Sequence, residues 1–204
     1  QILLTKARKN GDTFETNALA RAEAQTVKIT SMINDFLNLA RIEEGKLRIT
    51  KEVFSLDNWM EDIVSEAVFL TSNHQLNVRP CRGLQVYADK DKISQVLINL
   101  ISNATKYSHP GTTIEVGCRQ VGGSVQIYVR DQGIGINPEH QEKLFSRFYR
   151  VENDQMKTVS GFGIGLYLVS EILRYHDSRI FVQSQEGKGS TFSFHLEAVE
   201  NQPA

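Results

Sequence analysis

The chain has 204 residues, 40% of them hydrophobic, and its 23 basic and 24 acidic residues give a formal net charge of −1. This apolar content is sufficient for a packed core and excludes a disordered chain. The balanced charge excludes the basic excess of a nucleic-acid-binding protein, so we expect no nucleic acid partner. No window of about 18 apolar residues is present, so we expect neither a membrane span nor a signal peptide in this chain.

The two cysteines, Cys81 and Cys118, do not have the spacing of a metal site. We expect them to be reduced, small apolar residues of an intracellular protein, with a disulfide as the alternative. The chain starts without Met or a helix cap, and we expect it to be a piece of a longer protein.

Residues 1–48 predict two helices. The first covers Gln1–Lys9 and ends at the turn signal Asn10-Gly11-Asp12. The second runs from about Thr16 to Ile42, and its apolar stripe predicts a helical bundle with a second copy of the chain. The alternative is that this stripe packs on the domain that follows. The stripe consists of Ile29, Ile33, Phe36, Leu37 and Ala40.

Residues 49–204 predict a second domain with short alternating runs and amphipathic helices. The predicted strands are one short strand within 47–54 and those at 76–78, 85–87, 113–120, 124–131, 180–185 and 190–196. The predicted helices are 56–70, 91–108 and 163–176. This order predicts an α+β fold, a two-layer sandwich with helices on one face of a mixed, mostly antiparallel sheet.

Three polar side chains share one face of the predicted helix 91–108. Asn99, Asn103 and Lys106 are spaced four and then three residues apart, although Asn is not a strong helix former. Amide oxygens can ligate Mg²⁺, and a lysine can hold a phosphate. The pattern predicts either a polar binding site or a solvated helix face.

The run Asp131-Gln132-Gly133-Ile134-Gly135-Ile136 directly follows a predicted strand. A carboxylate at a strand end suits the exocyclic amine of adenine, which is a hydrogen-bond donor. The two glycines allow a tight turn and the close approach of a flat ligand. A plain turn is the alternative interpretation.

Glycines also precede the predicted helix 163–176, in the run Gly161-Phe162-Gly163-Ile164-Gly165-Leu166. Free N–H groups at a helix N-terminus favour an anion, which predicts a phosphate cradle. The run matches neither the dinucleotide fingerprint nor the P-loop. The polar segment 153–160 before it is a candidate for a mobile lid.

Two further clusters have structural explanations. Within 144–150 we expect Phe145 and Phe148 to anchor a loop in the core, which leaves Arg150 as the functional candidate. The run Gly187-Lys188-Gly189-Ser190-Thr191 predicts a hairpin turn.

Taken together and in this order, the clusters resemble the N, G1, F, G2 and G3 boxes of sensor histidine kinases. These kinases belong to the wider ATPase superfamily of gyrase, mismatch-repair proteins and heat-shock chaperones. The segment 39–46 resembles the exit from their dimerisation hairpin. The resemblance implies a Bergerat-type ATP-binding fold that transfers the γ-phosphoryl group of ATP to a histidine, for relay to a response-regulator aspartate.

The resemblance also implies roles for individual residues. Asn103, with Asn99, is implied as the Mg²⁺ ligand, and Lys106 and Arg150 as phosphate contacts. Asn103, Lys106 and Arg150 are therefore the implied catalytic residues. Asp131 is implied to accept from the adenine amine. The implied nucleotide-binding residues are Asn99, Asn103, Lys106, Tyr107, Asp131, Gly133, Gly135, Ile136, Arg150, Gly161, Gly163, Ile164, Gly165, Leu166 and Thr191.

The chain departs from the family's pattern at the phosphate acceptor. None of its five histidines lies in a stretch like H-E-L-x-T-P, so we expect the acceptor upstream of Gln1. We therefore expect the chain to bind ATP without phosphorylating itself. A smaller departure is His176-Asp177-Ser178, where the family often has His-Gly-Gly, and we expect a stiffer turn there.

The implied partners are ATP or ADP, a dimerisation hairpin of the same or the partner chain, and a response-regulator receiver domain. The resemblance implies that this chain is a soluble, cytoplasmic piece of a bacterial protein. The intact protein is implied to be a homodimer, and the sequence does not decide whether it is anchored to a membrane. Two other hypotheses remain, namely a docking module without kinase activity and a non-kinase ATPase of the same superfamily.

Overall fold

The computed structural model describes residues 13–67, 71, 73–151 and 162–199. The chain forms two compact units that divide between Leu47 and Arg48. In the first unit, helix α1 (Thr13–Glu43) extends slightly beyond the predicted helix at both ends. The predicted helix Gln1–Lys9 lies outside the described residues. Across the described part of the chain, no helix has the length and apolarity that a membrane crossing requires.

The second unit combines seven described strands with four described helices and one 3₁₀ turn. The strands are β1 (Glu52–Ser55), β2 (Gln75–Val78), β3 (Gln85–Ala88), β4 (Thr113–Val121), β5 (Ser124–Arg130), β6 (Phe181–Gln185) and β7 (Gly189–Val199). The helices are α2 (Leu56–Ala67), α3 (Lys90–Tyr107), α4 (Pro138–Gln141) and α5 (Gly165–Arg174), with the 3₁₀ turn at Glu142–Phe145.

The strands form one sheet in the order β1-β3-β7-β5-β4-β2, and β6 pairs with β7 beside this path. The pairing of β2 with β4 is parallel, and the other described pairings are antiparallel. The predicted mixed, mostly antiparallel sheet is therefore confirmed.

The core lies between this sheet and the helices. Alternate residues of β5 are buried, since the side chains of a strand point to opposite faces. Helix α3 contacts α2, α5, β4 and β5. Its buried side chains are Ile93, Val96, Leu97, Leu100, Ile101 and Ala104, the stripe that the helical spacing predicts. Each large apolar side chain buried here contributes about 1.5–3 kcal/mol.

A buried polar cluster fixes the beginning of α3. The side chain of Asp89 caps the helix by accepting from Lys92 N at 3.0 Å, and it also accepts from Thr50 N at 2.8 Å. The Asp89 N–H donates to His176 Nε2 at 3.0 Å. His176 Nδ1 in turn lies 2.8 Å from the carbonyl oxygen of Ile172 in α5. The cluster therefore joins β3, α3 and α5.

Two local expectations are wrong. Residues 47–49 do not belong to a strand, because β1 begins only at Glu52. Phe148 is 60% exposed and has a φ of +60°, so it does not anchor a loop in the core. The 3₁₀ turn and α4 were not predicted, because four residues carry too little hydrophobic periodicity.

Asp177, in the turn after α5, has a φ of +56°. This left-handed conformation favours glycine, which gives a physical reason for the glycine of the family's pattern at this position. Aspartate tolerates the conformation better than most residues, and its carboxylate pairs with Lys51 Nζ at 3.2 Å.

Cys81 and Cys118 form a disulfide in the structure, with their Cα atoms 5.5 Å apart. The expectation of two reduced cysteines is therefore wrong. Nothing in the spacing of the two residues predicts the bond, since it depends on how β2 and β4 pair.

His176 predicts a pH dependence of stability. Its pKa is lowered from 6.5, mainly because burial disfavours the charged ring. Below about pH 6.5 the unfolded chain therefore binds more protons than the folded one, and the free energy of unfolding falls as the pH drops. Urea unfolding of the wild type and of His176→Gln between pH 7.5 and 5 measures this. We expect a flatter profile in the variant, and an unchanged profile would contradict the assignment.

Candidate functional site

The amide face of α3 forms one side of the candidate site. Asn99 and Asn103 lie one helical turn apart, and Asn103 Nδ2 donates to Asn99 Oδ1 at 3.2 Å. Both residues are half-buried, and Lys106 on the same helix is exposed. A Cβ atom on Gly165, the first residue of α5, would lie 2.8 Å from the amide of Asn99. The Asn99 side chain is therefore held between Asn103 and the start of α5.

The carboxylate of Asp131 lies at the end of β5 and is almost completely buried. Its Oδ1 accepts from Gly133 N at 2.8 Å and from Ser190 N at 3.2 Å. Burial raises the pKa of Asp131 above its ordinary value, and the two backbone hydrogen bonds oppose that rise. The Asp131 N–H also donates to Ser190 O at 2.9 Å, so this residue joins the end of β5 to the beginning of β7.

Glycines allow three pieces of backbone to meet around Asp131. A Cβ on Gly133 would lie 2.2 Å from the carbonyl oxygen of Tyr107, the last residue of α3. A Cβ on Gly189, where φ is +91°, would lie 2.1 Å from the Asp131 carbonyl oxygen. Ile134 N donates to Tyr107 O at 3.1 Å. The turn after β5 therefore lies directly on the C-terminus of α3.

The two segments that flank residues 152–161 are hydrogen-bonded to each other. Phe148 N donates to Gly163 O at 3.0 Å. Gly163 has a φ of +71°, and a Cβ there would lie 2.7 Å from the Tyr149 carbonyl oxygen. Only glycine fits this close approach.

Side chains strengthen the same junction. The guanidinium of Arg147 lies 4.8 Å from the ring centroid of Tyr167 in α5. His140 Nδ1 and Tyr149 Oη lie 2.8 Å apart. The residues just before Arg150 are thereby tied to both α4 and α5.

Arg150 lies close enough to Tyr107 for an electrostatic effect. Burial raises the pKa of Tyr107, and the positive charge of Arg150 opposes the rise because it favours the phenolate. The structure therefore brings Arg150 to the end of the helix that carries Asn103.

The other predicted residues that the structure describes lie on the same segments. Gly135 has a φ of +67°, and Ile136 N donates to Ser184 Oγ at 2.8 Å. Thr191 directly follows Ser190 in β7. Ile164 is buried at the start of α5, Leu166 is half-buried, and Gly161 lies outside the described residues. Among the described residues, no three His, Cys, Asp or Glu side chains cluster as a metal site.

Sequence reasoning missed a polar network that joins the turn after β5 to β6, β7 and α4. Ser184 Oγ and Ser190 Oγ lie 2.9 Å apart, and Ser184 Oγ donates to Gly189 O at 3.0 Å. Gln141 Nε2 donates to Ile136 O at 3.0 Å and to Ser184 O at 3.2 Å. Serine in a strand and glutamine in a short helix carry no distinctive sequence signal, so only their tertiary contacts identify them.

Residues 88–200 match the family of histidine kinase-, DNA gyrase B- and HSP90-like ATPases, and the chain belongs to this family. It is 35% identical over 182 residues to the sensor histidine kinase WalK of Bacillus subtilis, covering 87% of this chain and 30% of WalK. It is 33% identical over 187 residues to the sensor protein SrrB of Staphylococcus aureus, covering 90% of this chain and 32% of SrrB. The chain thus spans about a third of the length of these curated relatives.

Solved structures of histidine kinases share the fold. The catalytic domain of histidine kinase ThkA is 26% identical, with a TM-score of 0.58, and the match covers 74% of this chain and 96% of that one. The Acinetobacter baumannii histidine kinase AdeS is 23% identical, with a TM-score of 0.67, and the match covers 95% of this chain and 91% of that one. At this identity the second match shows the fold alone.

Two glycines of the β6–β7 turn predict how strongly the site depends on close backbone approach. Gly187 and Gly189 both have positive φ, but only a Cβ on Gly189 would meet other atoms. We expect Gly187→Ala to cost about 1 kcal/mol, the cost of a left-handed alanine. Gly189→Ala should cost about 3 kcal/mol or more, because overpacking against Asp131 adds to it. Urea unfolding measures both, and equal costs would contradict the close approach.

Proposed function

We propose that this chain is the ATP-binding kinase part of a two-component sensor histidine kinase. Residues 49–204 form the catalytic ATP-binding domain, and residues 1–48 form the remnant of a dimerisation hairpin. The observation that carries this proposal is that the turn after β5, which begins at Asp131, rests on the end of α3. This helix bears Asn99 and Asn103, and Asn99 lies against the start of α5. In this proposal the carboxylate binds adenine, the two amides bind a cation and the helix end binds phosphate, and the proximity of these groups supports it.

Adenine recognition is assigned to Asp131. Both backbone hydrogen bonds to this carboxylate use Oδ1. They fix its orientation and leave Oδ2 to accept from the exocyclic amine of adenine. We also assign adenine contacts to Gly133, Gly135 and Ile136 of the turn after β5, and to Tyr107, Leu166 and Thr191.

The phosphates are assigned to the space between α3 and α5. The N-terminus of α5 has no side-chain cap, so its N–H groups and helix dipole favour an anion. Gly161, Gly163, Ile164 and Gly165 belong to this phosphate-binding segment. Lys106 and Arg150 supply positive charge.

The residues present fit a magnesium ion. The hydrogen bond between the two amides uses Asn103 Nδ2 and leaves Asn103 Oδ1 as a hard oxygen ligand, with Asn99 assisting. Mg²⁺, when bound, would neutralise part of the negative charge of the phosphates. Asn103 orients the triphosphate, and Lys106 and Arg150 neutralise the negative charge that develops on the transferred group.

The phosphoryl acceptor is a histidine on a dimerisation hairpin of the same or the partner chain in a homodimer. The next acceptor is an aspartate of a response-regulator receiver domain. A docking module without kinase activity is the rival, and the ordered carboxylate, amides and anion-binding helix end disfavour it, because docking requires none of them.

Asp131→Asn tests the adenine assignment. The introduced amide can keep its oxygen as the acceptor for the two backbone donors, while its nitrogen would oppose the adenine amine. We expect Mg-ADP affinity to fall about tenfold or more, since an unpaired buried donor costs about 1–3 kcal/mol. Isothermal calorimetry measures the dissociation constants of ADP and GDP. The ADP preference should shrink, because guanine presents an acceptor at that position.

Unchanged ADP binding by a folded Asp131→Asn variant would contradict the assignment to Asp131. If the wild type does not bind Mg-ADP at millimolar concentration, the proposal of nucleotide binding is wrong.

Transfer in trans tests the kinase activity. The chain is mixed with Mg-ATP and a separate hairpin that carries the acceptor histidine, and acid-labile phosphate on the hairpin is followed. We expect transfer by the wild type and slower transfer by Gly165→Ala, because the new Cβ displaces the Asn99 amide. Alanine suits a helix better than glycine, so the fold should not suffer.

Gly123→Ala is the matched control, because a Cβ there meets nothing within 4 Å. Nucleotide binding without any transfer to the hairpin would favour the docking module. Equal transfer rates for Gly165→Ala and Gly123→Ala would contradict the role of Asn99.

A further inference from the structure

The disulfide between Cys81 and Cys118 lies outside the nucleotide site and is not used by the proposed function. Cys81 belongs to the β2–β3 loop (residues 79–84) and is only 2% exposed. Cys118 lies in β4, is half-buried and pairs with Ile127 of β5. The bond therefore links the β2–β3 loop to β4, the strand beside the edge strand β2.

Hydrogen bonds that do not involve sulfur hold the two cysteines next to each other. The parallel register of β2 and β4 runs to Val78 opposite Val116, and Arg79 N continues it by donating to Val116 O at 2.8 Å. The Cα atoms are 5.5 Å apart, within the ordinary range for a disulfide. Because this ladder is independent of the sulfurs, reduced thiols would stay adjacent and could pair again without unfolding.

The same loop holds the beginning of α2. The two carboxylate oxygens of Asp57 accept from Cys81 N at 3.1 Å and from Gly83 N at 2.7 Å. The loop contains two successive residues of positive φ, Arg82 at +31° and Gly83 at +74°. A non-glycine residue rarely adopts such a conformation. Without the disulfide, the backbone at Arg82 would be freer to move to a more favourable conformation, so the disulfide restrains this loop.

Helix α2 in turn packs on the helix that bears the amides. Trp59 of α2 is 1% exposed, and its Nε1 donates to Ser94 Oγ of α3 at 2.7 Å. Asn99 and Asn103 follow Ser94 on α3. A continuous set of contacts thus joins the disulfide, Asp57, α2 and the proposed magnesium ligands.

We propose that Cys81 and Cys118 form a reversible thiol–disulfide modification site whose oxidised state tightens nucleotide binding. The nucleotide part of this inference rests on the proposed function. A domain that binds ATP works in the cytosol, where disulfides are usually transient or redox-sensing rather than permanent. The oxidised bond restrains the loop and Asp57, so that α2 holds α3 in the arrangement that places its amides.

The oxidant is a low-molecular-weight disulfide. The thiolate of the more accessible Cys118 attacks one sulfur of this disulfide, breaks its S–S bond and releases one thiolate. The Cys81 thiolate then attacks Cys118 Sγ, forms the protein disulfide and releases the second thiolate. Two electrons pass from the cysteines to the small disulfide, and the two cysteine protons end on the two released thiols. Reduction by a small thiol reverses both steps.

Glutathione redox buffers of graded composition test the proposal on the folded chain. Free thiols are counted at each composition, and thermal unfolding and Mg-ADP calorimetry are measured on the fully oxidised and fully reduced forms. We expect two thiols to appear and disappear reversibly. We expect a midpoint of unfolding about 5 °C or more higher in the oxidised form, and a dissociation constant about three- to tenfold lower.

Two variants serve as controls. Cys118→Ser should behave identically in oxidising and reducing buffer. Asp57→Asn keeps both cysteines but weakens the hydrogen bonds to the loop, so its disulfide should still form and still raise the midpoint of unfolding, with a smaller effect on nucleotide affinity. If oxidation changes nucleotide affinity as much in Asp57→Asn as in the wild type, the coupling does not pass through Asp57 and α2.

If the two cysteines cannot be oxidised and reduced reversibly while the chain stays folded, the proposal of a modification site is wrong. Equal nucleotide affinity in the two redox forms of a nucleotide-binding wild type would overturn the coupling. Absence of nucleotide binding in both forms contradicts the proposed function instead, and the thiol counts and unfolding midpoints then decide the modification site alone.

Discussion

The buried carboxylate of Asp131 and its two backbone donors are the interaction on which the candidate site depends. A carboxylate removed from water is costly unless donors replace the lost solvation, and Gly133 N and Ser190 N replace part of it. These donors belong to a turn and to a neighbouring strand, so satisfying one charge fixes β5, β7 and the glycine-rich turn together. Gly133 and Gly189 are required because their backbones approach carbonyl oxygens more closely than a Cβ permits.

Helix α3 connects this carboxylate to the rest of the unit. Its N-terminus is fixed by Asp89, which is held by the neutral ring of His176, and its C-terminal carbonyl at Tyr107 receives the turn after β5. Between these fixed ends, Asn99 and Asn103 stand on a rigid helix with a fully buried apolar face. A site on such an element keeps its geometry better than one on a loop.

The regions that sequence reasoning described least well share a physical cause. Cys81 and Cys118 meet through the parallel pairing of β2 with β4, and a parallel register has no short turn that a sequence pattern could identify. The spacing of Phe148 from Phe145 favours a position in the core, but its positive φ and the hydrogen bond to Gly163 direct this backbone towards α5. Ser184, Ser190 and Gln141 act through long-range contacts that no local pattern marks.

Periodicity and turn chemistry in the sequence predict most elements of the second unit and the candidate residues of the nucleotide site. Helical and strand periodicity depend on local backbone geometry, and the glycine-rich turns between them have few alternative explanations once they occur in this order. Three features are visible only in the folded structure: the turn after β5 rests on the end of α3, Gly165 lies against Asn99, and two cysteines distant in sequence are bonded. Those contacts depend on strand register and helix packing, which are fixed by the whole core and not by any one segment.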